Sequence, residues 1–213
     1  MEAFSTSQIF INLVLAARWT LGLTLVAFTG GGIMGLIVLV ARIDERAWLK
    51  RVATAYIAVF QSTPLLLQLF LVFFGLPLIG IRIEPWMAAS LGLTAYASAY
   101  LADIWRGGVE ALPRGQWEAA AALGLHTLAR LRLVILPQGL RMTLPPAVGF
   151  LVQLVKATAV TSIIGFSELM KAANAINNAT FEPFTVYGIV AVIYFAICFP
   201  LTTYARRLEA KPA

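Results

Sequence analysis

Histidine and cysteine each occur once in the 213 residues, as His126 and Cys198. A metal centre of His and Cys ligands needs several such residues, so none is expected, and an internal disulfide framework is excluded. Charge is scarce too: Asp, Glu, Lys and Arg make up 12% of the chain, against about 25% in ordinary soluble domains. A phosphate-binding loop of the form Gly-x-x-x-x-Gly-Lys-Ser/Thr is missing. The four lysines follow Leu49, Val155, Met170 and Ala210, so no Gly-Lys pair exists and ATP is not hydrolysed here by that route. An intramembrane protease of the rhomboid kind needs a His general base beside an embedded nucleophile. His126 lies outside every apolar run, which speaks against that chemistry.

What is abundant is apolar surface. Hydrophobic residues are 60% of the chain and the mean hydropathy is +0.84. A soluble globule of this size must cover itself with polar side chains, and too few are present, so an integral membrane protein is expected. The apolar runs are long and unbroken, not short alternating segments, so the spans are helices, not barrel strands. Five spans are expected, over residues 11–40, 53–79, 87–105, 143–166 and 186–204. The first exceeds the ~20 residues needed to cross. Its Gly30, Gly31 and Gly32 permit either a kink or a close helix contact. Arg18 near its start snorkels to the interface. Pro64, beside Thr63, interrupts the second run. Asp103 lies near the end of the third. Pro145 and Pro146 open the fourth, which carries Lys156.

The net charge of +6 reflects topology, not a nucleic-acid partner, because the basic residues sit between apolar runs. Arg42, Arg46, Lys50 and Arg51, then Arg106, Arg114, Arg130, Arg132 and Arg141, then Arg206, Arg207 and Lys211 fall on the side of the C-terminus. Only Arg82 and Lys171 fall on the other. Cytoplasmic loops collect Lys and Arg, so the C-terminus is expected in the cytoplasm and the N-terminus outside. The start, Met1-Glu2-Ala3-Phe4, lacks a basic region, so the first span is expected to serve as its own insertion signal.

The longest cytoplasmic stretch, 106–141, exceeds a simple hairpin connection. Gln116 to Leu123 is Ala-rich and helix-compatible, with Trp117 and Glu118 at its start and Gly124 placed as a C-cap. Pro137 precedes the next apolar run. A short helix, a glycine break and a second short helix on the inner face suit docking. Ala119 and Ala120 leave a shallow surface that a groove can accept, and Glu118 is placed to be favoured by the helix dipole. No nucleophile–base pair lies here, so the stretch is not catalytic.

These residues carry a resemblance. Glu118-Ala119-Ala120, then Gly124, Val134 and Leu136-Pro137 resemble the EAA loop of bacterial ABC importer permeases, with Val134 where Ile is usual. Residues Ala99 to Gly108, Pro113 to Ala120 and Ile135 to Arg141 are similar to the polar amino-acid subfamily, the histidine, glutamine and glutamate type. So is Thr63-Pro64-Leu65-Leu66-Leu67-Gln68-Leu69-Phe70. The resemblance spans roughly residues 15 to 207 and implies an all-α, five-span type I importer permease in the bacterial inner membrane. It further implies that Glu118, Ala119, Ala120 and Gly124 couple to a cytoplasmic ABC ATPase dimer. A second permease chain, identical or paralogous, would complete the path, and an extracytoplasmic binding protein would deliver the amino acid. ATP and Mg would be bound by the ATPase, with no cofactor or metal in this chain. A stand-alone helical channel or secondary transporter is the alternative, though five spans do not divide into repeats.

Two departures bear on the substrate. Gln61-Ser62 stand where the family commonly has Arg-Gly, and Ala157 follows Lys156 where many members have Asp. Loss of that carboxylate disfavours a cationic side chain. Lys156 and Arg106 can attract a carboxylate, favouring an acidic or neutral amino acid. Thr63, Pro64, Asp103 and Lys156 are the path candidates. For each a plainer role stands beside it: an ordinary kink for Thr63-Pro64, an interfacial partner for Asp103, a structural pairing for Lys156. Glu168 and Lys171 read as a solvated outer loop, with contact to a binding protein as the other reading. His126 reads as a solvated or interface residue, and Asn178-Ala179-Thr180 as an accidental sequon in a bacterial host. Trp19, Trp86, Trp105 and Tyr204 read as interfacial anchors.

Overall fold

A computed structural model describes residues 5–210; Lys211 and the opening Met1–Phe4 lie outside them. Every regular element among the described residues is helical. The first helix, α1, runs without a break over Thr6–Ile43, about 57 Å at 1.5 Å per residue. The glycine cluster does not kink it. Gly31 and Gly35 instead bring its backbone against the fourth helix, α4, Pro85–Glu110. A Cβ on Gly31 would stand 2.6 Å from Ala97 Cβ, and one on Gly35 would stand 3.0 Å from the Ser98 carbonyl oxygen. Small residues allow such close approach, and close approach is what holds helices together where lipid supplies no hydrophobic drive. Ala97, Ser98, Ala99, Leu101 and Ala102 of α4 are completely buried. α4 is the helix the others surround.

Between these two helices lie α2, Ala47–Ser62, and α3, Leu65–Leu78, which meet at 107°. The expected second span is therefore not one straight crossing. Pro64 has no N–H to continue the helix and forces Thr63 into an extended conformation, φ −110° and ψ 142°. Among the described residues three helices are long and apolar enough to cross a membrane: α1, then α7 (Leu144–Ser162), then α9 (Pro183–Glu209). The bent pair α2–α3 is a fourth if counted together. Pro145 and Pro146 sit at the start of α7, where missing N–H groups cost nothing.

The stretch after α4 forms α5, Arg114–Ala122, and α6 over residues 127–142, which contains a π-helical turn at Leu131–Ile135. Between α7 and α9 lies α8, Leu169–Thr180, a helix where the sequence suggested a loop. The main core gathers Leu23, Ala27, Leu69, Leu93, Ala97, Leu101, Phe150 and Leu154, drawn from α1, α3, α4 and α7. A second core joins Ile9, Leu13 and Ala17 of α1 to Leu169 and Ala173 of α8 and Val186 and Val190 of α9.

Candidate coupling loop and translocation face

The end of α5 is closed by residues 120–125. The Gly124 N–H donates to the Ala121 carbonyl at 2.9 Å and the Leu125 N–H to the Ala120 carbonyl at 3.3 Å. This pair closes a helix when the residue beyond its end is left-handed, and Gly124 takes φ +73°. The chain then turns, and His126 caps α6 by accepting from the Ala129 N–H through Nδ1 at 3.3 Å. The turn exposes an apolar tip, with Leu123 79% and Leu128 65% exposed.

Glu118 and Ala119 are exposed, whereas Ala120 is 2% exposed and packed into its own chain. The exposed face is thus Ala119, Ala121 and Ala122 with the leucine tip, and Ala120 is its inner support. Glu118 is not at the helix N-terminus. It is the fifth residue of a helix starting at Arg114, beyond the first turn in which the dipole acts. Its exposure, not the dipole, makes it available to a partner.

The loop is fastened to the membrane helices at its base. A Cβ on Gly108 would collide with the Thr143 γ-methyl and stand 2.5 Å from the Gly139 carbonyl oxygen; one on Gly139 would stand 3.2 Å from the Val109 nitrogen. So α4 and α6 cross in backbone contact. Val109, Leu112 and Ile135 are buried beside the crossing, with Trp117 of α5 laid against them. Gln138 Nε2 donates to Gln116 Oε1 at 3.2 Å and to the Val134 carbonyl at 2.9 Å, tying α5 to α6.

The path candidates divide. Thr63 and Pro64 are exposed at the α2–α3 bend. Asp103 faces that region: it accepts from Gln61 Nε2 at 3.4 Å and pairs with Arg106 at 3.0 Å, and Arg106 also binds Glu110. Arg106 is thereby committed to two carboxylates of its own helix. Lys156 lies elsewhere, on an open groove of about 550 Å³ lined by Ala159, Met170, Tyr187, Val190, Ala191 and Tyr194. Its side chain is exposed, and among the described residues no carboxylate lies within ion-pair distance of it.

Two residues went unrecognised in the sequence. Glu168 is wholly buried, not solvated. It caps α8 by accepting from the Lys171 N–H at 2.8 Å and accepts from Thr20 of α1 at 3.4 Å and Tyr194 of α9 at 3.5 Å. Thr20 in turn accepts from the Leu169 N–H at 3.2 Å. Gln68, 7% exposed, spans the α2–α3 bend with its side-chain amide. Lys171 itself is exposed, as expected. Trp19, Trp86 and Tyr204 are each about half exposed. Trp105 instead packs into the core against Gly35.

A bundle with apolar outer faces, a proline-broken helix and a fastened helix–turn–helix is the architecture of a membrane component. The chain belongs to the family described as binding-protein-dependent transport system inner membrane component, which matches residues 27–212. The probable amino-acid ABC transporter permease protein YckA of Bacillus subtilis is 36% identical over 204 residues, covering 96% of this chain and 90% of that one. The probable glutamine ABC transporter permease protein GlnM of the same organism is 32% identical, covering 90% and 89%. Among solved structures, one chain of an amino acid ABC transporter with histidines superposes with a TM-score of 0.86 at 35% identity, covering 93% of this chain and 92% of that one. The MetNI methionine ABC transporter, in an inward-facing form, matches in fold at a TM-score of 0.77 and 23% identity.

Proposed function

We propose that this chain forms half of the translocation path of an ATP-driven amino-acid importer and that α5 with its Gly124 turn is the handle by which an ABC ATPase moves it. The observation that carries the reading is the clasp at Gly108 and Gly139. A cytoplasmic helix with an exposed apolar tip meets the membrane helices through backbone contact, so a push on the tip reaches α4 with little loss in flexible side chains. Glu118, Ala119 and Gly124 meet the ATPase, while Ala120 keeps α5 seated. ATP and Mg belong to that partner, a second permease chain completes the path, and an extracytoplasmic binding protein supplies the substrate. The α2–α3 pair counts as one of five crossings, with the N-terminus outside and the C-terminus in the cytoplasm of a bacterial cell.

Lys156 supports a path on the α7–α9 side. An unpaired ammonium facing lipid near mid-bilayer costs at least ~2.5–3.5 kcal/mol, so this face is better explained by water, substrate or a second permease chain. With Ala157 beside it and no free carboxylate, the groove suits the carboxylate of an acidic or neutral amino acid. The test is co-purification and uptake with the partner ATPase and binding protein in proteoliposomes. Gly124→Asp, which strains the left-handed turn and charges the tip, is expected to abolish both ATPase retention and ATP-dependent uptake. Full uptake by that variant would refute the docking role, and uptake persisting without any ATPase would favour a stand-alone transporter.

A further inference from the structure

We propose that Gln68 is a positioning residue of the transport path: its side-chain amide replaces the backbone donor that Pro64 lacks and thereby fixes the bend between α2 and α3. The inference rests on the transport reading for its consequence, but not for its geometry.

In an uninterrupted helix the N–H of residue 64 would donate to the carbonyl of residue 60. Proline has no such hydrogen, so the Phe60 carbonyl loses its donor. Gln68 Nε2 lies 2.9 Å from that same carbonyl oxygen. It also lies 3.0 Å from the Thr63 carbonyl and 2.9 Å from Thr63 Oγ1. One amide, with two hydrogens, thus serves the carbonyl orphaned by proline and both oxygens of the extended residue before it, one hydrogen being shared between two acceptors. Thr63 Oγ1 is fixed as an acceptor here, because its own hydrogen goes to the Val59 carbonyl at 2.7 Å.

This arrangement admits one orientation of the amide. Turned over, Gln68 Oε1 would face three acceptors and no donor. In the observed orientation Oε1 is buried and has no hydrogen-bond partner. Leaving a buried acceptor without a protein partner is costly. The next residue completes the fixture: Leu69 is wholly buried, and its Cδ2 lies 2.7 Å from where a Cβ on Gly92 of α4 would be. The bend is therefore held at residue 68 to α2 and at residue 69 to α4. Just before it, Gln61 reaches Asp103 of α4. Any opening of the path that swings α3 against α2 must break the Gln68 contacts or carry them along.

The assay uses the assembled complex of permease, ATPase and binding protein in proteoliposomes. Spin labels at the exposed positions Val59 and Leu71 report the distance across the bend, and uptake is measured in parallel. Gln68→Leu removes the donor; Gln68→Glu keeps the shape but supplies no N–H. Both are expected to broaden the distance distribution and to lower uptake at least tenfold, with ATPase retention unchanged. Adding Pro64→Ala to Gln68→Leu restores a backbone donor to the Phe60 carbonyl only as α2 and α3 straighten, and is expected to narrow the distribution again around a longer distance with uptake still low, an effect a purely space-filling role would not show. A parent-like distribution in both Gln68 variants, or no narrowing on adding Pro64→Ala, overturns the proposal. If Gln68→Leu fails to assemble, the same readings on the isosteric Gln68→Glu decide. If the unsubstituted complex shows no ATP-dependent uptake while the distances behave as stated, the transport reading fails and the clamp stands.

Discussion

Replacing Gly108 with alanine puts a methyl group where two helices already touch. The new Cβ would stand 2.5 Å from the Gly139 carbonyl oxygen and against the Thr143 γ-methyl. Carbon–oxygen contacts begin at about 3.3 Å, so α4 and α6 must part by roughly 0.8 Å at the crossing. A gap of roughly 0.5–1 Å already forfeits a quarter to a half of each dispersion well along the seam, where Val109, Leu112 and Ile135 are buried. Overpacking of this kind costs about 1–3 kcal/mol, and the gain from replacing a helical glycine, about 0.5–1 kcal/mol, does not offset it. A coupling loss of about 1–3 kcal/mol corresponds to roughly 5- to 150-fold. Binding-protein-stimulated ATP hydrolysis by the complex in nanodiscs is therefore expected to fall at least about fivefold. The adjacent glycine is the control: a Cβ on Gly107 meets nothing within 4 Å, so Gly107→Ala is expected to match or exceed the parent. If Gly108→Ala and Gly107→Ala behave alike, the seam does not transmit force and the clasp has been misread.

Further outcomes are expected elsewhere. Gly124→Val places a β-branched residue at φ +73° and should destabilise the turn by about 1–2 kcal/mol, seen as faster proteolysis between residues 122 and 127 and reduced ATPase retention. Glu168→Ala removes the cap of α8 and leaves Thr20 and Tyr194 without their shared acceptor, at about 1–3 kcal/mol; thermal unfolding in detergent should show the loss, and Glu168→Gln a smaller one. Gly31→Leu must displace Ala97 and the Ser98 backbone and should abolish stable accumulation in the membrane. Gly22→Leu on the same helix, with open space around it, should not. Lys156→Met should raise the KM of uptake about tenfold, equivalent to about 1.4 kcal/mol, with Lys156→Arg intermediate; an unchanged KM in the Met variant would remove Lys156 from the path.

Local chemistry was legible in the sequence. The Ala-rich run ending at Gly124 foretold α5 and its turn, because a left-handed residue after a helix is a single-position requirement that glycine meets. Pro64 foretold a break, because the lost N–H is a property of the residue itself. The angle of that break was not legible: at 107° Leu69 seats against Gly92 of α4, a contact between separate stretches of chain. The glycines of α1 left a kink and a close contact equally open, and only the facing Ala97 and Ser98 decide for contact. Glu168 misled for the same reason. Its neighbours in sequence are those of a polar turn, while its partner Thr20 is 148 residues away. Trp105 looked like an anchor from its place at a span end, but the room left by Gly35 draws it inward. Distance along the chain, more than composition, separates what could be read from what could not.

The pairing of Thr20 with Glu168 sets a problem of timing during biosynthesis. Ribosomes add about 5–20 residues per second, so the 148 residues between the two take roughly 7–30 s to emerge. Throughout that interval the nascent first helix lacks both the carboxylate that engages its threonine and, until residue 98 follows, the small-residue face that covers its glycines. The half-made chain is thus a different physical object from the finished one, with an uncovered notch and an unmatched hydroxyl. The insertion machinery, or a lipid chain lying in the notch, must shelter that face until the later helices arrive.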